Sequence, residues 1–339
     1  MENRVIVSPS PHIHSGDSVS RNMYGVLIAL IPAFAFSIWQ FGWHALLVTA
    51  ICVVTCMLTE LFITRVMLRR PNYILDGSAL LTGVLLAFNL PATLPWWIII
   101  MGSFIAIAVG KMAFGGLGNN IFNPALVGRV FLLISFPAQM TTWPVARSLS
   151  EALSKGLPAD ATTMATPLST MKGIVMGQAS ISDLPSAWDL FLGLNPGSFG
   201  EISALALLLG LVYLLVKKII TWHIPISILA TVFIFGGILH LVDATHYVSP
   251  LYHLTAGGLM LGAIFMATDY VTSPITASGQ LIYGVLIGLL TVIIRTWGAY
   301  PEGMSFAILI MNAFTPLINL YFKPKHFGEK VKKQKEAKK

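Results

Sequence analysis

Thr166 closes the string Asp160-Ala-Thr-Thr-Met-Ala-Thr166 and is followed by Pro167 and Leu168. The chemistry on offer is that of a displayed hydroxyl. Ala165 is small and leaves room beside Thr166 for a bulky enzyme or cofactor. Pro167 biases Thr166 toward extended backbone, which turns its side chain outward. Thr163 and Asp160 stand upstream and can add a hydrogen bond and a carboxylate. On these residues alone the string also reads as a Ser/Thr-rich surface loop.

A second cluster is Gly115-Gly-Leu-Gly118-Asn119-Asn120, followed by Asn123-Pro124. Glycines let backbone approach a ligand closely, and asparagines supply both donors and acceptors. No strand precedes it and no Lys-Ser/Thr closes it, so it is not a phosphate loop; a tight turn is the plain alternative. Ionisable residues inside apolar segments cost about 2.5–3.5 kcal/mol on insertion scales, which makes each a candidate. Glu60, Asp76, Lys111, Asp269, Arg295 and Glu302 qualify. Lys111, Arg295 and Glu302 are expected to snorkel to a membrane edge. His44, His223 and His253 lack metal-ligand spacing, and no metal site is expected.

The elements that carry these residues are apolar blocks. Of 339 residues, 55% are hydrophobic and 10% charged, where a soluble domain carries about 25% charged. Each block approaches the roughly 20 apolar residues that a bilayer span requires. Spans are expected near 24–41, 45–64, 78–90, 96–114 and 124–137, then near 201–216, 224–242, 254–267, 279–295 and 304–322. The first lacks the basic lead and cleavage site of a signal peptide. The reading is an all-α integral membrane protein of about ten helices, with a cytoplasmic N-terminal segment (1–23), two membrane repeats (24–137 and 201–322), an external loop (138–200) and a basic tail (323–339).

Much of the net charge of +7 sits in that lysine-rich tail. It reads as a solvated anchor at the membrane lipid, not as a nucleic-acid surface. Arg4 and Arg21 precede the first span; Arg65, Arg69 and Arg70 follow the second; Lys217 and Lys218 follow the sixth. All fall on one side, so both termini are expected in the cytoplasm and Thr166 outside. Gly77-Ser-Ala-Leu-Leu-Thr-Gly83 recurs as Ala256-Gly-Gly-Leu-Met-Leu-Gly262, and Asn123-Pro-Ala is echoed at Asn312–Pro316. Five spans per half make the repeat inverted, with short third, fifth and eighth segments. Asp76 and Asp269 then occupy equivalent ends, which points to a cofactor or ion site. Cys52 and Cys56, the only cysteines, read as small buried residues at a helix contact.

The Thr166 string fits the D-x-x-[ST]-x-A-T pattern at which a bacterial FMN transferase attaches FMN to threonine. Met164 stands where glycine is usual. The chain resembles the D subunits of Rnf-type electron transport complexes, related to the B subunit of the sodium-translocating NADH:quinone reductase. The resemblance runs through SPHIHSGDSVSRNM (8–23), DGSALLTGVLLAFNLP (76–91), FGGLGNNIFNPALVGRVFLLISFP (114–137), GAIFMATDYVTSPIT (262–276) and IRTWGAYPEGMSFAILIMNAFTPLI (294–318). It implies a urea-channel-like fold in the bacterial inner membrane, with FMN esterified to Thr166 and Asp160, Thr163 and Ala165 read by the transferase. It also implies a second, non-covalent riboflavin, for which Gly118, Asn119, Asn120, Asn123, Asp76 and Asp269 are the candidates. The implied activity is electron transfer between ferredoxin and NAD, coupled to Na+ or H+ transport with the other Rnf subunits. This chain has no nicotinamide fingerprint and no iron–sulfur cysteine cluster, so partners would handle those substrates. The alternative is a solute channel of the same architecture, in which the Thr166 loop is only a loop.

Overall fold

The computed structural model describes residues 18–69, 74–143, 165–193 and 196–324, and the regular structure among them is helical. Helix α1 (Val19–Phe41) opens at Ser18, whose Oγ accepts the Arg21 N–H at 3.2 Å. It closes at Gly42, where φ of +63° suits glycine and lets the chain turn straight into α2 (Trp43–Phe62). That helix runs on as a π-helical turn over Ile63–Met67. Helices α3 (Ser78–Phe88), α4 (Trp96–Ala108) and α5 (Pro124–Ser135) complete the first half. Between the halves lie α6 (Pro137–Met140), α7 (Pro167–Val175) and α8 (Ala187–Leu192). The second half contains α9 (Ala204–Val216), α10 (His223–Val242), α11 (Pro250–Thr255), α12 (Leu259–Leu261), α13 (Ala277–Trp297) and α14 (Met304–Tyr321).

Among the described residues, six helices are long and apolar enough to cross a membrane: α1, α2 with its π-turn, α4 extended to Phe114, α10, α13 and α14. The apolar helices α3, α5 and α9 have 11, 12 and 13 residues. At 1.5 Å per residue they reach about 16–20 Å, against roughly 30 Å of hydrocarbon. The expected eighth segment is broken. Helix α11 ends at extended Ala256, Gly257 takes φ of +68°, and α12 restarts the helix and passes into a π-turn over Gly262–Met266. The protein is an all-helical integral membrane protein.

Packing repeats between the halves. Helix α2 packs on α4 as α10 packs on α13, α4 on α5 as α13 on α14, and α1 on α3 as α9 on α12. Across the halves α1 meets α9, and α5 meets α14. The matched glycine strings both open helices, Gly77 at α3 and Gly258 at α12. Gly83 brings α3 hard against α2, since a Cβ there would stand 2.7 Å from Val53 Cα. The echoed asparagines touch. With the Asn312 amide turned to satisfy its neighbours, its oxygen accepts the Asn123 N–H at 3.1 Å. Cys52 and Cys56 are fully buried, and α2 packs on α3 and α4.

Lys111 and Arg295 do not snorkel. Lys111 is 2% exposed, and its Nζ donates to both Glu60 oxygens at 2.7 and 2.8 Å and to Ser78 Oγ at 2.7 Å. Arg295 donates to the carbonyls of His253 (2.6 Å) and Ala256 (3.0 Å), at the break between α11 and α12. Glu302 also turns inward and pairs with Arg129. Each cation reaches a partner supplied by a distant segment, so the outward path to water is not needed. Lys111→Met would strand the Glu60 carboxylate in this interior at a cost of about 3–5 kcal/mol. The expected readout is a lower thermal midpoint for the detergent-purified chain, largely restored by adding Glu60→Leu.

Candidate functional site

Two clefts open at opposite ends of the helices, and the sequence-derived residues divide between them. Thr166 belongs to the first. It is the N-cap of α7, with φ −71° and ψ 155°, the extended geometry that Pro167 imposes. Thr166 Oγ1 accepts the Ser169 N–H at 3.2 Å, and Ser169 Oγ donates to the Thr166 carbonyl at 2.7 Å. The hydroxyl therefore sits at the positive end of a nine-residue helix, where backbone N–H groups favour an anion. Thr166 is thus not on a free loop, as its composition suggests; the apolar face of α7 holds it. Leu168, Met171 and Ile174 are buried against Val248 and Ala256.

Lys172 ties α7 down a second time. Its Nζ donates to the carbonyls of Gly298 (2.5 Å) and Ala299 (2.6 Å), just past the C-terminal end of α13. A cation there complements the helix dipole, and burial pulls the Lys172 ammonium below its ordinary pKa. Ala165 is exposed beside Thr166. Asp160 and Thr163 lie outside the described residues.

Thr166 borders a cleft of about 700 Å³ of atom-free space, part of it open to solvent. Trp143 and Tyr300 line it, with Arg129, Glu201 and Glu302 on the side of the core. Arg129 rises from the middle of α5 and donates to Asn89 Oδ1 and Glu302 Oε2. Its Nη1 stands 3.7 Å from Glu201 Oε2. The sequence reading overlooked Arg129 and Glu201. A charge in the middle of the fifth apolar block was the available signal for Arg129; nothing local singles out Glu201.

The second cleft holds about 790 Å³ of atom-free space, again partly open. Asn120, Asn123 and Asp269 line it together with Asn22, Lys111 and Thr268. Asn123 caps α5, its Oδ1 accepting the Ala125 N–H at 3.0 Å, while its Nδ2 donates to the Met266 carbonyl at 3.1 Å. Asp269 Oδ2 accepts from Thr272 Oγ1 at 3.2 Å. Three expected members fall outside this cleft. Gly118 and Asn119 form an exposed turn, Gly118 with φ of +91°. Asp76 accepts from the Ser78 N–H (2.8 Å) and hydroxyl (2.7 Å) at the start of α3, one link behind Lys111.

The clefts share α5, which offers Asn123, Pro124 and Ala125 to one and Arg129 and Leu133 to the other. Between those residues Leu126 is buried on the helix, as are Leu86 and Asn89 on α3 and just beyond it.

The chain matches the NQR2, RnfD, RnfE family over residues 6–328. It is 46% identical, over 99% of both chains, to the D subunit of the Na(+)-translocating ferredoxin:NAD(+) oxidoreductase complex of Acetobacterium woodii. It is 43% identical, over 96% of this chain and 97% of the relative, to the D subunit of the proton-translocating ferredoxin:NAD(+) oxidoreductase complex of Clostridium ljungdahlii. The D subunit of the ion-translocating oxidoreductase complex of Stutzerimonas stutzeri is 42% identical over 93% of this chain and 94% of its own. A match that takes in both clefts and the α7 segment between the halves makes this chain a member of the NQR2, RnfD, RnfE family.

Proposed function

We propose that this protein is the membrane redox subunit of an ion-translocating ferredoxin:NAD oxidoreductase complex, carrying FMN in phosphoester linkage on Thr166. The observation that carries the reading is the seat of that hydroxyl: a helix N-cap bordering a cleft lined by aromatic and charged side chains. A flavin supplies the electron chemistry when bound; the protein supplies position and field. A phosphate on Thr166 Oγ1 would be held at the first turn of α7, where the Ser169 N–H already donates to Oγ1 and the Leu168 N–H is the next orphan donor. The Lys172 latch and the buried face of α7 hold that attachment point against α13. Trp143 and Tyr300 line the cleft as aromatic walls, Tyr300 stacked on Phe306, and the Arg129 guanidinium lies on the core side.

The second cleft suits a non-covalent riboflavin ring. Asn120 and Asp269 place an amide and a carboxyl group among apolar walls that include Leu85, Ile264 and Phe265, while Asn123 is held by Ala125 and Met266 at their edge. Orientation follows the positive-inside rule. Lys217 and Lys218 adjoin Ile219 and Ile220 at this cleft, and Lys323 follows the Phe322 carbonyl that accepts from Thr276 at the start of α13. Gly298 and Lys172 lie at the other end of α13, 21 residues away and about 31 Å along the helix. The lysine end faces the cytoplasm of a bacterial inner-membrane protein, and Thr166 faces outward to meet its FMN transferase. Ferredoxin and NAD are met by other subunits. A solute channel would need an open path between the clefts, where Leu86, Asn89, Leu126 and Arg129 are instead buried.

Co-expressed with the transferase, the denatured chain should fluoresce in a gel, and the peptide containing Thr166 should carry one FMN. Thr166→Ala should abolish both signals, while Ser169→Ala keeps them. An unmodified wild-type peptide beside an active transferase would favour the channel. For the second cleft, Asn120→Ala with Asp269→Asn should lower the non-covalent flavin released on denaturation at least tenfold. The covalent flavin should be unchanged by that pair.

A further inference from the structure

Two carboxyl groups stand on the core side of the Thr166 cleft. Glu201 comes from the turn before α9, and Glu302 from the turn before α14. Their side chains are 5% and 14% exposed. They converge on Gly258, where an added Cβ would overlap both Glu201 Oε2 and Glu302 Oε1 and stand 3.3 Å from Arg129 Nη1. Neither of those oxygens accepts a hydrogen bond. The other Glu302 oxygen is taken by Arg129 Nη2, and Arg129 Nη1 is committed to Asn89. The next cation, Arg295, gives two of its nitrogens to the His253 and Ala256 carbonyls. The charged and titratable groups facing the pair are thus Arg129 from α5 and Arg295 from α13, with His253 of α11 behind Arg295. Two acids with bare oxygens converging in a buried site repel when both are ionised, and a shared proton relieves the repulsion.

We infer that Glu201 and Glu302 form a one-proton site that fills as the flavin on Thr166 gains an electron. The inference rests on the flavin reading of Thr166. The electron comes from a reduced redox group of a partner subunit, which is oxidised by one electron as the flavin is reduced by one. The proton comes from water in the cleft and bonds to Glu302 Oε1 or Glu201 Oε2, the two oxygens that accept no hydrogen bond. No covalent bond between heavy atoms forms or breaks, and the charge of cleft and flavin together is unchanged. A proton suits the site better than a metal cation. Hard cations take six or more oxygen ligands; here two oxygens stand beside a guanidinium. Among the described residues no group of three or more His, Cys, Asp and Glu side chains could hold a metal.

The test is a spectroscopic redox titration of the covalent flavin in the purified complex between pH 6 and 9. One proton per electron lowers the midpoint by about 59 mV per pH unit, the one-electron equivalent of a tenfold change. The wild type should show that slope at the alkaline end of the range, where the pair is ionised while the flavin is oxidised. Toward pH 6, where the pair already holds its proton, the slope should level off. The isosteric Glu201→Gln/Glu302→Gln pair should be flat throughout. A slope retained in the variant assigns the proton to the flavin itself and overturns the inference. So does a midpoint that follows sodium concentration and ignores pH. Should the variant fail to assemble, redox-induced infrared difference spectra of the wild type decide. A protonated-carboxyl band that appears on reduction and shifts in D2O supports the site, and its absence removes it. Gel fluorescence of the denatured chain is checked first: a wild type without covalent flavin fails the Thr166 reading, whereas a flavinylated wild type with no slope fails only this inference.

Discussion

A backbone carbonyl freed by a break in a helix has no water to turn to inside a bilayer, and unpaired it costs several kcal/mol. This chain breaks its helices repeatedly and meets the cost with side chains sent from elsewhere. Arg295 takes the His253 and Ala256 carbonyls, Asn123 takes that of Met266, and Ser37 takes that of Phe199 at 2.5 Å. Thr315 reaches the Thr272 carbonyl at 2.8 Å, and Asn89 turns back on Leu85 at 2.6 Å. Four of the buried polar side chains, Ser37, Asn123, Arg295 and Thr315, are spent in this way across long stretches of chain. The short helices exist because these partners do, and the clefts open where short helices stop.

Helix α5 shows how much follows from one such helix. Twelve residues are too few to cross the hydrocarbon, so Asn123 at its start and Arg129 at its middle both need partners within the protein. Asn123 finds Met266 and Asn312, both from the second half, and Arg129 finds Asn89 and Glu302. The halves are thereby joined through polar contacts along one helix, in addition to the apolar faces of α1 and α9. A frame joined this way resists sliding, because any shift breaks a buried bond with no water to replace it.

The apolar blocks of the sequence announce the helices, and their lengths announce the short segments, because both are local consequences of burying a backbone in lipid. The Gly/Asn string also marks the second cleft, through Asn120 and Asn123. What the residues do not announce is pairing. Lys111 and Glu60 are 51 positions apart, and Arg129 and Glu302 are 173 apart. Nothing in either neighbourhood names its partner, so outward snorkelling is the natural local expectation. Thr166 divides in the same manner. Pro167 makes its extended backbone legible, but the helix behind it depends on Leu168, Met171 and Ile174 finding Val248 and Ala256 far along the chain.

The two cysteines of α2 carry a consequence of a different kind. Peroxide and other oxidants attack accessible thiolates first. Cys52 and Cys56 are fully buried, with Cys56 Sγ pointed at the Ser103 carbonyl 3.8 Å away. Sealed between helices, these thiols are shielded from oxidants and alkylating reagents alike while the fold is intact. Maleimide probes placed on engineered surface cysteines would therefore report on their own positions, with no need to remove the native pair.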